Sequence, residues 1–195
     1  MSKLYFKYGA MGSSKSAQAL ITQFNYEELG MKVWLIKPSI DDRDGANIIK
    51  SRIGLSREAQ VITPEDDLLD LLHKSSEKYD VIISDESQFF TVEQINQLRT
   101  IVDEDDLPVI CFGLRTDFQT NFFPGSKRLM ELADSLTEIK TVCSCGRKAM
   151  VNARFDSNGK ILTKGDQVFL GGNDSYIAMC HKCWRNKIKE QNGMD

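Results

Sequence analysis

The sequence predicts an α/β fold with a mostly parallel sheet, followed by a small β-rich segment that carries paired cysteines. Up to about residue 140, short apolar runs alternate with stretches whose apolar residues recur at helical spacing. The runs are apolar throughout, which is typical of parallel strands that are covered on both faces. The pattern then changes, because four of the five cysteines and the hairpin signal "NG" (158–159) fall after that point.

Length and composition narrow the class of protein. A chain of 195 residues fits one domain with a small appendage, and a net charge of −3 argues against a dedicated nucleic-acid-binding protein. The first residues lack a signal-peptide pattern, and no apolar run has the length of a membrane span. We therefore expect a cytoplasmic protein with no membrane or nucleic-acid partner, whose cysteines are free, metal-bound or reactive rather than paired in disulfides.

The first two strands flank a predicted helix. "LYFKY" (4–8) predicts a strand, and a glycine-containing turn leads from it into a helix that ends near Gly30. The apolar residues that recur at helical spacing are Ala17, Leu20, Ile21 and Phe24. "VWLIK" (33–37) predicts the second strand, ended by Pro38.

The next region contains a predicted loop and helix. Residues 39–58 are polar and interrupted by glycines, so we expect a mobile loop rather than packed structure. In "TPEDDLLDLL", Thr63 suits an N-cap and Pro64 the first helical position, which predicts a helix that begins there.

Two further apolar runs complete the predicted sheet. "YDVIISDESQFF" (79–90) predicts a buried strand that ends in two acids, and Thr91 with Gln94 forms a candidate capping box for the helix that follows. "LPVICFGL" (107–114) predicts another buried strand. A short helix is expected over about residues 127–134.

The stretch "YGAMGSSKS" (8–16) resembles the phosphate-binding pattern G-x-x-x-x-G-K-[S/T]. Gly9, Lys15 and Ser16 fit the pattern, whereas Ser14 replaces its second glycine. In the strand–turn–helix context, backbone N–H groups would bind phosphate, Lys15 would neutralise it and Ser16 would bind magnesium. The alternative is an ordinary glycine-containing turn with an exposed lysine. A serine is compatible with the loop unless that position requires a positive φ or room for the phosphate.

The strand "VIISDE" ends in Asp85 and Glu86, as a Walker B strand does. Such a strand is expected to lie beside the phosphate-loop strand and to deliver a carboxylate to magnesium, directly or through water. Two adjacent acids also suggest that one serves the metal while the other acts as a base. A strand that ends at a solvated acidic turn is the alternative.

The cysteines after residue 140 form two pairs, and they predict a structural zinc site. The four candidate ligands are Cys143, Cys145, Cys180 and Cys183. Zinc would fold a segment that lacks a conventional core, and four protein ligands would leave no open position for catalysis. The C-x-C spacing of the first pair is one residue short of the usual half-site. The alternatives are a site in which His181 replaces one thiolate, a redox-active dithiol, or four unrelated thiols. Outside this cluster, we expect Cys111 to be a buried core thiol and His73 to be a surface residue.

Together these features resemble the type II thymidine kinases, a compact family with a RecA-like P-loop ATP-binding domain and a zinc-bearing lasso domain. The resemblance covers nearly the whole chain and implies domains at 1–140 and 141–195. It rests on "YGAMGSSKS", "DESQFF" (85–90), "FGLRTDFQ" (112–119), "CGRKAMVNAR" (145–154) and "GGNDSYIAMCHKC" (171–183).

The resemblance implies transfer of the γ-phosphoryl group of ATP to the 5′-hydroxyl of thymidine or deoxyuridine. It makes Glu86 the general base and Asp85 the magnesium carboxylate. The nucleotide-binding positions that it implies are Gly9, Ala10, Met11, Gly12, Ser13, Ser14, Lys15, Ser16, Asp85, Gln88 and Arg43.

A pyrimidine pocket follows from the same resemblance. Its walls would be Met11, Phe89, Leu114, Phe118 and Phe123, and the lasso residues that meet the base would be Gln167, Phe169, Gly171 and Tyr176. Core packing is the alternative for Phe90 and Phe123. A homotetramer and feedback by thymidine triphosphate are also implied.

Two other functions are compatible with a phosphate loop. One is a RecA-like ATPase that acts on nucleic acid, which the acidic composition opposes. The other is a nucleotide-sensing module that has lost kinase turnover, with Ser14 as a trace of that loss.

Overall fold

The computed structural model describes residues 1–40, 45–168 and 176–193, and its centre is a six-stranded sheet. The strands in chain order are β1 (Leu4–Tyr8), β2 (Val33–Pro38), β3 (Ile48–Lys50), β4 (Ser56–Glu58), β5 (Gln60–Ile62), β6 (Val81–Ser84), β7 (Val109–Gly113), β8 (Ser135–Glu138), β9 (Thr141–Val142), β10 (Lys148–Ala149), β11 (Val151–Phe155), β12 (Ile161–Leu162) and β13 (Tyr176–Met179). The helices are α1 (Lys15–Glu28), α2 (Leu68–Lys74), α3 (Val92–Glu104), α4 (Pro124–Leu132) and α5 (His181–Gln191), with a 3₁₀ turn at Ser87–Phe89.

The central sheet has the strand order β5-β2-β6-β7-β1-β8, and all its pairings are parallel. This confirms the predicted α/β class with a parallel sheet. Strand β7 lies between β1 and β6, so the prediction that the strand ending in Asp85 lies directly beside the phosphate-loop strand is wrong. Because parallel strands end at the same edge, the segments that follow β6, β7 and β1 still lie next to one another in that order.

Each face of the sheet is covered by its own apolar cluster. Ile82 of β6 packs with α2, α3 and α4 on one face, whereas its neighbour Ile83 packs with α1 on the other. Both are fully buried. In α1, Ala17 and Leu20 are buried but Ile21 and Phe24 are 46% and 47% exposed, so only part of the predicted apolar stripe faces the core.

The prediction of a mobile loop at 39–58 is wrong for the part that the structure describes. Strands β3 and β4 pair as an antiparallel hairpin, which we call the β3–β4 hairpin (residues 48–58). Ile49 of this hairpin is 3% exposed and packs in the apolar cluster that includes residues of α1. One apolar side chain in a polar stretch gives no periodic signal, because its partners lie on other elements.

Two predicted helix starts are displaced. Helix α2 begins at Leu68, where the Asp67 carboxylate accepts a hydrogen bond from the N–H of Asp70 at 2.9 Å. The predicted N-cap, Thr63, instead lies in a turn and donates its N–H to Asp66. Helix α4 begins at Pro124 rather than at 127, because proline is well suited to the first helical position.

Other local predictions are confirmed. Thr91 and Gln94 form the capping box of α3, with both reciprocal bonds present. Strands β11 and β12 form the hairpin signalled by "NG", with Gly159 at φ 74°. The segment after residue 140 also contains α5, which the sequence analysis did not identify. Among the described residues, no helix is long and apolar enough to cross a membrane.

Candidate active site

The loop of residues 9–14, here called the glycine loop, connects β1 to α1 at the carboxyl edge of the sheet. The N–H of Gly9 donates to the carbonyl of Gly113 at the end of β7, at 3.2 Å. A Cβ on Gly9 would lie 2.4 Å from the carbonyl oxygen of Ile139 and 2.4 Å from Oγ of Ser13. Only glycine fits here, because both contacts are far inside van der Waals distance.

Ser14 adopts the left-handed conformation, with φ 65° and ψ 22°. This is the backbone region that glycine enters freely and that costs an ordinary residue roughly 1–2 kcal/mol. Gly12 in the same loop also has a positive φ, of 73°. Position 14 therefore requires the geometry of the missing glycine, and the serine adopts it under strain.

Lys15 lies over the glycine loop and is only 8% exposed. Its Nζ donates to the carbonyl of Ala10 at 2.9 Å and lies 3.4 Å from Oγ of Ser13. This position contradicts the alternative of a turn with an exposed lysine. A buried ammonium beside the backbone amides of a helix start is a suitable environment for phosphate.

Asp85 directly follows β6 and is 3% exposed, which excludes a solvated acidic turn at this residue. Burial and the neighbouring Glu86 raise the pKa of Asp85 to about 7, while the Ser16 hydroxyl and the charge of Lys15 act in the opposite direction. The Oδ1 atom is buried, and none of the described residues forms a hydrogen bond with it. A carboxylate and a hydroxyl of this kind match the oxygen ligands that magnesium prefers, so Ser16 and Asp85 fit a magnesium site.

Glu86 is half-buried and has a left-handed backbone, with φ 51° and ψ 35°. The side-chain amide of Gln88 donates to its carboxylate and accepts from the N–H of Leu114 at 2.9 Å. Gln88 is 1% exposed, and its amide fixes the carboxylate of Glu86 relative to the end of β7. Backbone strain of this kind is common at functional sites.

The second site is the cysteine cluster, formed by Cys143, Cys145, Cys180 and Cys183. All four sulfur atoms lie within 4.8 Å of one another, and the sulfurs of Cys145 and Cys180 are 3.7 Å apart. Tetrahedral zinc with sulfur ligands requires separations of roughly 3.8 Å. The N–H groups of Cys145 and Cys180 lower the pKa of Cys143 to about 6. The cluster can therefore hold a metal ion such as zinc, and the short C-x-C spacing does not prevent it.

Comparison with known proteins decides the family. The family model described as "Thymidine kinase" matches residues 2–184. The chain belongs to the thymidine kinase family.

Relatives in this family match over almost their full length. The thymidine kinase of Shewanella oneidensis is 44% identical over 190 residues, which cover 96% of this chain and 99% of the relative. The thymidine kinase of Legionella pneumophila strain Lens is 47% identical over 183 residues, covering 92% and 88%. The thymidine kinase of Vibrio cholerae is 44% identical over 191 residues, covering 96% and 99%.

The aromatic residues that the family implies as pocket walls lie in two places, one near Glu86 and one near Arg154. Phe89 and Phe123 meet edge to face, with ring centroids 5.6 Å apart, close to the turn that carries Glu86. Phe118 is 1% exposed and lies beneath the guanidinium of Arg154, at 5.1 Å. Phe90, in contrast, belongs to the apolar cluster under α3, which confirms core packing for this residue.

Some predicted lasso positions are described and others are not. The Gln167 amide donates to the Asp117 carboxylate at 2.9 Å, which links this predicted lasso residue to the segment after β7. Tyr176 is half-buried and pairs with Arg154 in the small sheet. Arg43, Phe169 and Gly171 lie outside the described residues.

Asn152 is a residue of the site region that the sequence analysis missed. It lies on β11 and is 3% exposed. Its Oδ1 accepts from the N–H of Met11 in the glycine loop at 2.8 Å, and its Nδ2 donates to the carbonyl of Thr116 at 2.9 Å. Thr141 adds a 3.3 Å bond to the carbonyl of Gly12. In the sequence, the signal for this residue is a polar asparagine within the strand "VNARF". Its hydrogen-bond partners cannot be predicted from that pattern.

Proposed function

We propose that this member of the thymidine kinase family transfers the γ-phosphoryl group of ATP to the 5′-hydroxyl of thymidine or deoxyuridine. The observation that carries the proposal is the convergence of Lys15, Ser16 and Asp85 at one edge of the sheet, next to Glu86. Lys15 supplies positive charge for the phosphates. Ser16 and Asp85 supply oxygen ligands for a metal, and Glu86 supplies a base.

In the proposed reaction, the carboxylate of Glu86 accepts the proton of the 5′-hydroxyl. The hydroxyl oxygen then forms a bond to the γ-phosphorus, and the bond between this phosphorus and the β–γ bridging oxygen breaks. The electron pair of the broken bond stays with ADP. Gln88 keeps the Glu86 carboxylate in one orientation throughout, since its amide is anchored to Leu114.

Magnesium would be held by Ser16 and Asp85, and it supplies charge neutralisation on the phosphates when bound. The backbone N–H groups of the glycine loop would bind the same phosphates. The N–H of Met11 already donates a hydrogen bond to Asn152. This N–H therefore holds the glycine loop in position and does not bind phosphate.

We further propose that zinc occupies the cysteine cluster and has a structural role. It would tie the turn between β9 and β10 to the start of α5, and so fix both ends of the segment that carries Gln167 and Tyr176. Together with Phe169 and Gly171, these residues would cover the pyrimidine base. The division into an ATP-binding domain at 1–140 and a lasso domain at 141–195 belongs to this proposal.

A homotetramer, feedback by thymidine triphosphate and a cytoplasmic location complete the proposal. Exposed apolar side chains on and after α1 support association with further copies of the chain. They are Ile21, Phe24, Leu29 and Met31. Burial of such a patch between subunits is favourable at about 25 cal/mol for each Å² of apolar surface.

The test is a thymidine phosphorylation assay with ATP and magnesium, on the wild type and Glu86→Gln. We expect formation of thymidine monophosphate by the wild type, and a kcat about 10²–10⁴-fold lower for Glu86→Gln with ATP affinity retained. ATP binding without turnover would support the nucleotide-sensing alternative. Tight binding of single-stranded DNA without thymidine turnover would support the ATPase alternative.

A further inference from the structure

The β3–β4 hairpin places a cation next to the glycine loop. A guanidinium nitrogen of Arg52, at the tip of the hairpin, lies 3.7 Å from the position that a Cβ on Gly12 would occupy. Arg52 is exposed, and no described carboxylate lies within ion-pair distance of it. Neither the phosphate-loop pattern nor the Walker B pattern includes this residue.

The base of the hairpin is fixed to the rest of the molecule. Ile49 and Ala59 are 3% and 8% exposed, and both pack in the apolar cluster that includes α1. Lys37, at the end of β2, is 1% exposed and donates to the carbonyl of Ile48 at 2.9 Å. Helix α1 starts directly after the glycine loop. Because the base of the hairpin packs against this helix, the tip of the hairpin lies next to the loop.

The tip itself is also ordered by hydrogen bonds. The N–H of Ser51 donates to the carbonyl of Leu55 at 2.8 Å, and the N–H of Leu55 donates to Oγ of Ser51 at 3.0 Å. The N–H of Gly54 donates to the carbonyl of Ser51 at 3.0 Å. Arg52 thus projects from a closed turn, and its position beside Gly12 follows from the fold.

We propose that Arg52 is a phosphate-binding residue, which contacts the β- or γ-phosphate of ATP from the side of the hairpin. This inference rests on the proposed function. Lys15 offers one compact charge at the loop, whereas a guanidinium offers a planar fork that binds two phosphate oxygens at once. A further cation of this type, in addition to Lys15 and the predicted Arg43, stabilises the charge that spreads over the phosphoryl oxygens during transfer.

The test compares Arg52→Gln and Arg52→Lys with the matched control Arg57→Gln. Arg57 is exposed on β4 of the same hairpin, and its guanidinium donates to the carbonyl of Ser56. The Kd values for ATP, ADP, adenosine and thymidine are measured by calorimetry, and kcat is measured with thymidine as acceptor.

For Arg52→Gln we expect a loss of about 10- to 100-fold in ATP affinity or in kcat, because a hydrogen bond to a charged group is removed. A loss for both ATP and ADP assigns the contact to the β-phosphate, and a loss for ATP alone assigns it to the γ-phosphate. The affinities for adenosine and thymidine should stay within twofold of the wild type. Arg52→Lys should recover part of the loss, and Arg57→Gln should resemble the wild type.

The inference is overturned if Arg52→Gln keeps both ATP affinity and kcat within twofold. It is also overturned if Arg57→Gln shows an equal loss, or if adenosine affinity falls together with ATP affinity, since the hairpin would then act only through folding. Failure of the proposed function gives a different result: the wild type would not phosphorylate thymidine, while the dependence of ATP binding on Arg52 could still be measured.

Discussion

The carboxyl edge of the central sheet and the segment after residue 140 are stabilised in different ways. The glycine loop and Asp85 follow strands whose apolar residues are almost fully buried between two layers of helices. The segment after residue 140 has a much smaller apolar cluster, in which Cys143 and Cys180 pack with Ala149. The first region has a large hydrophobic core, whereas the second has a small one beside four cysteines that could hold a metal ion.

Several polar contacts connect the regions, and two of them reach the glycine loop. Asn152 and Thr141 bond to successive residues of the glycine loop, Met11 and Gly12. The glycine loop is therefore not fully independent of the cysteine-bearing segment.

Removal of the proposed zinc should have the largest effect and should act mainly on the segment after residue 140. We expect that chelation of zinc, or Cys183→Ser, abolishes thymidine phosphorylation and lowers thymidine affinity by more than about 100-fold, because metal binding supplies the folding free energy of such a segment. ATP affinity should change far less. Normal thymidine affinity in the zinc-free protein, measured by calorimetry, would contradict this account.

Asp85→Asn should stabilise the sheet region in a pH-dependent way. The raised pKa of Asp85 means that the native state holds a proton that the unfolded chain releases near pH 4, so the free energy of unfolding falls as the pH rises from about 4 to about 7. The asparagine variant should escape this loss and gain up to roughly 4 kcal/mol above pH 7, with little gain at pH 4. Urea denaturation at both pH values measures the difference, and magnesium-dependent activity should be lost.

Gln88→Leu should lower kcat by about 10- to 100-fold, since the carboxylate of Glu86 loses a charge-assisted hydrogen bond. If Gln88 acts only by orienting Glu86, the KM for ATP should not change. A large rise in the KM for ATP would instead favour the nucleotide contact that the resemblance implies. Steady-state kinetics with both substrates separates these outcomes.

Asn152→Leu should break one of the connections between the two regions. It leaves the N–H of Met11 without its acceptor, which costs about 1–3 kcal/mol. We expect a lower melting temperature and weaker ATP binding, although Asn152 lies on β11 outside the central sheet. Lys160→Ala, an exposed change next to β12, is the control. Unchanged ATP affinity in Asn152→Leu would show that the bond to Met11 does not couple the two regions.

Ser14→Gly should have the smallest effect and should relieve strain at φ 65°. The gain in stability is expected to be about 1 kcal/mol or less, with activity preserved or increased. Thr120→Gly is the control, because Thr120 has φ 69° but lies outside the glycine loop. It should change stability without changing kinetics. A large loss of kcat/KM in Ser14→Gly would show that the serine side chain has a role of its own.

Features that depend on neighbours along the chain could be predicted from the amino-acid sequence. Apolar runs and helical periodicity predicted the parallel sheet, Thr91 and Gln94 predicted their capping box, and the cysteine pairs predicted a cluster that the fold assembles. Each signal lies within a few residues, so no knowledge of distant contacts was required.

Features that depend on residues distant in sequence could be recognised only in the folded chain. Position 14 requires a positive φ because the glycine loop must turn between β1 and α1. Residues 48–58 form a packed hairpin because Ile49 is buried in the apolar cluster that includes α1. Asn152 meets Met11 across 141 positions of sequence. A buried polar group is almost always hydrogen-bonded, but its partner cannot be read from the sequence. The packing of the layers determines which groups lie within hydrogen-bond distance.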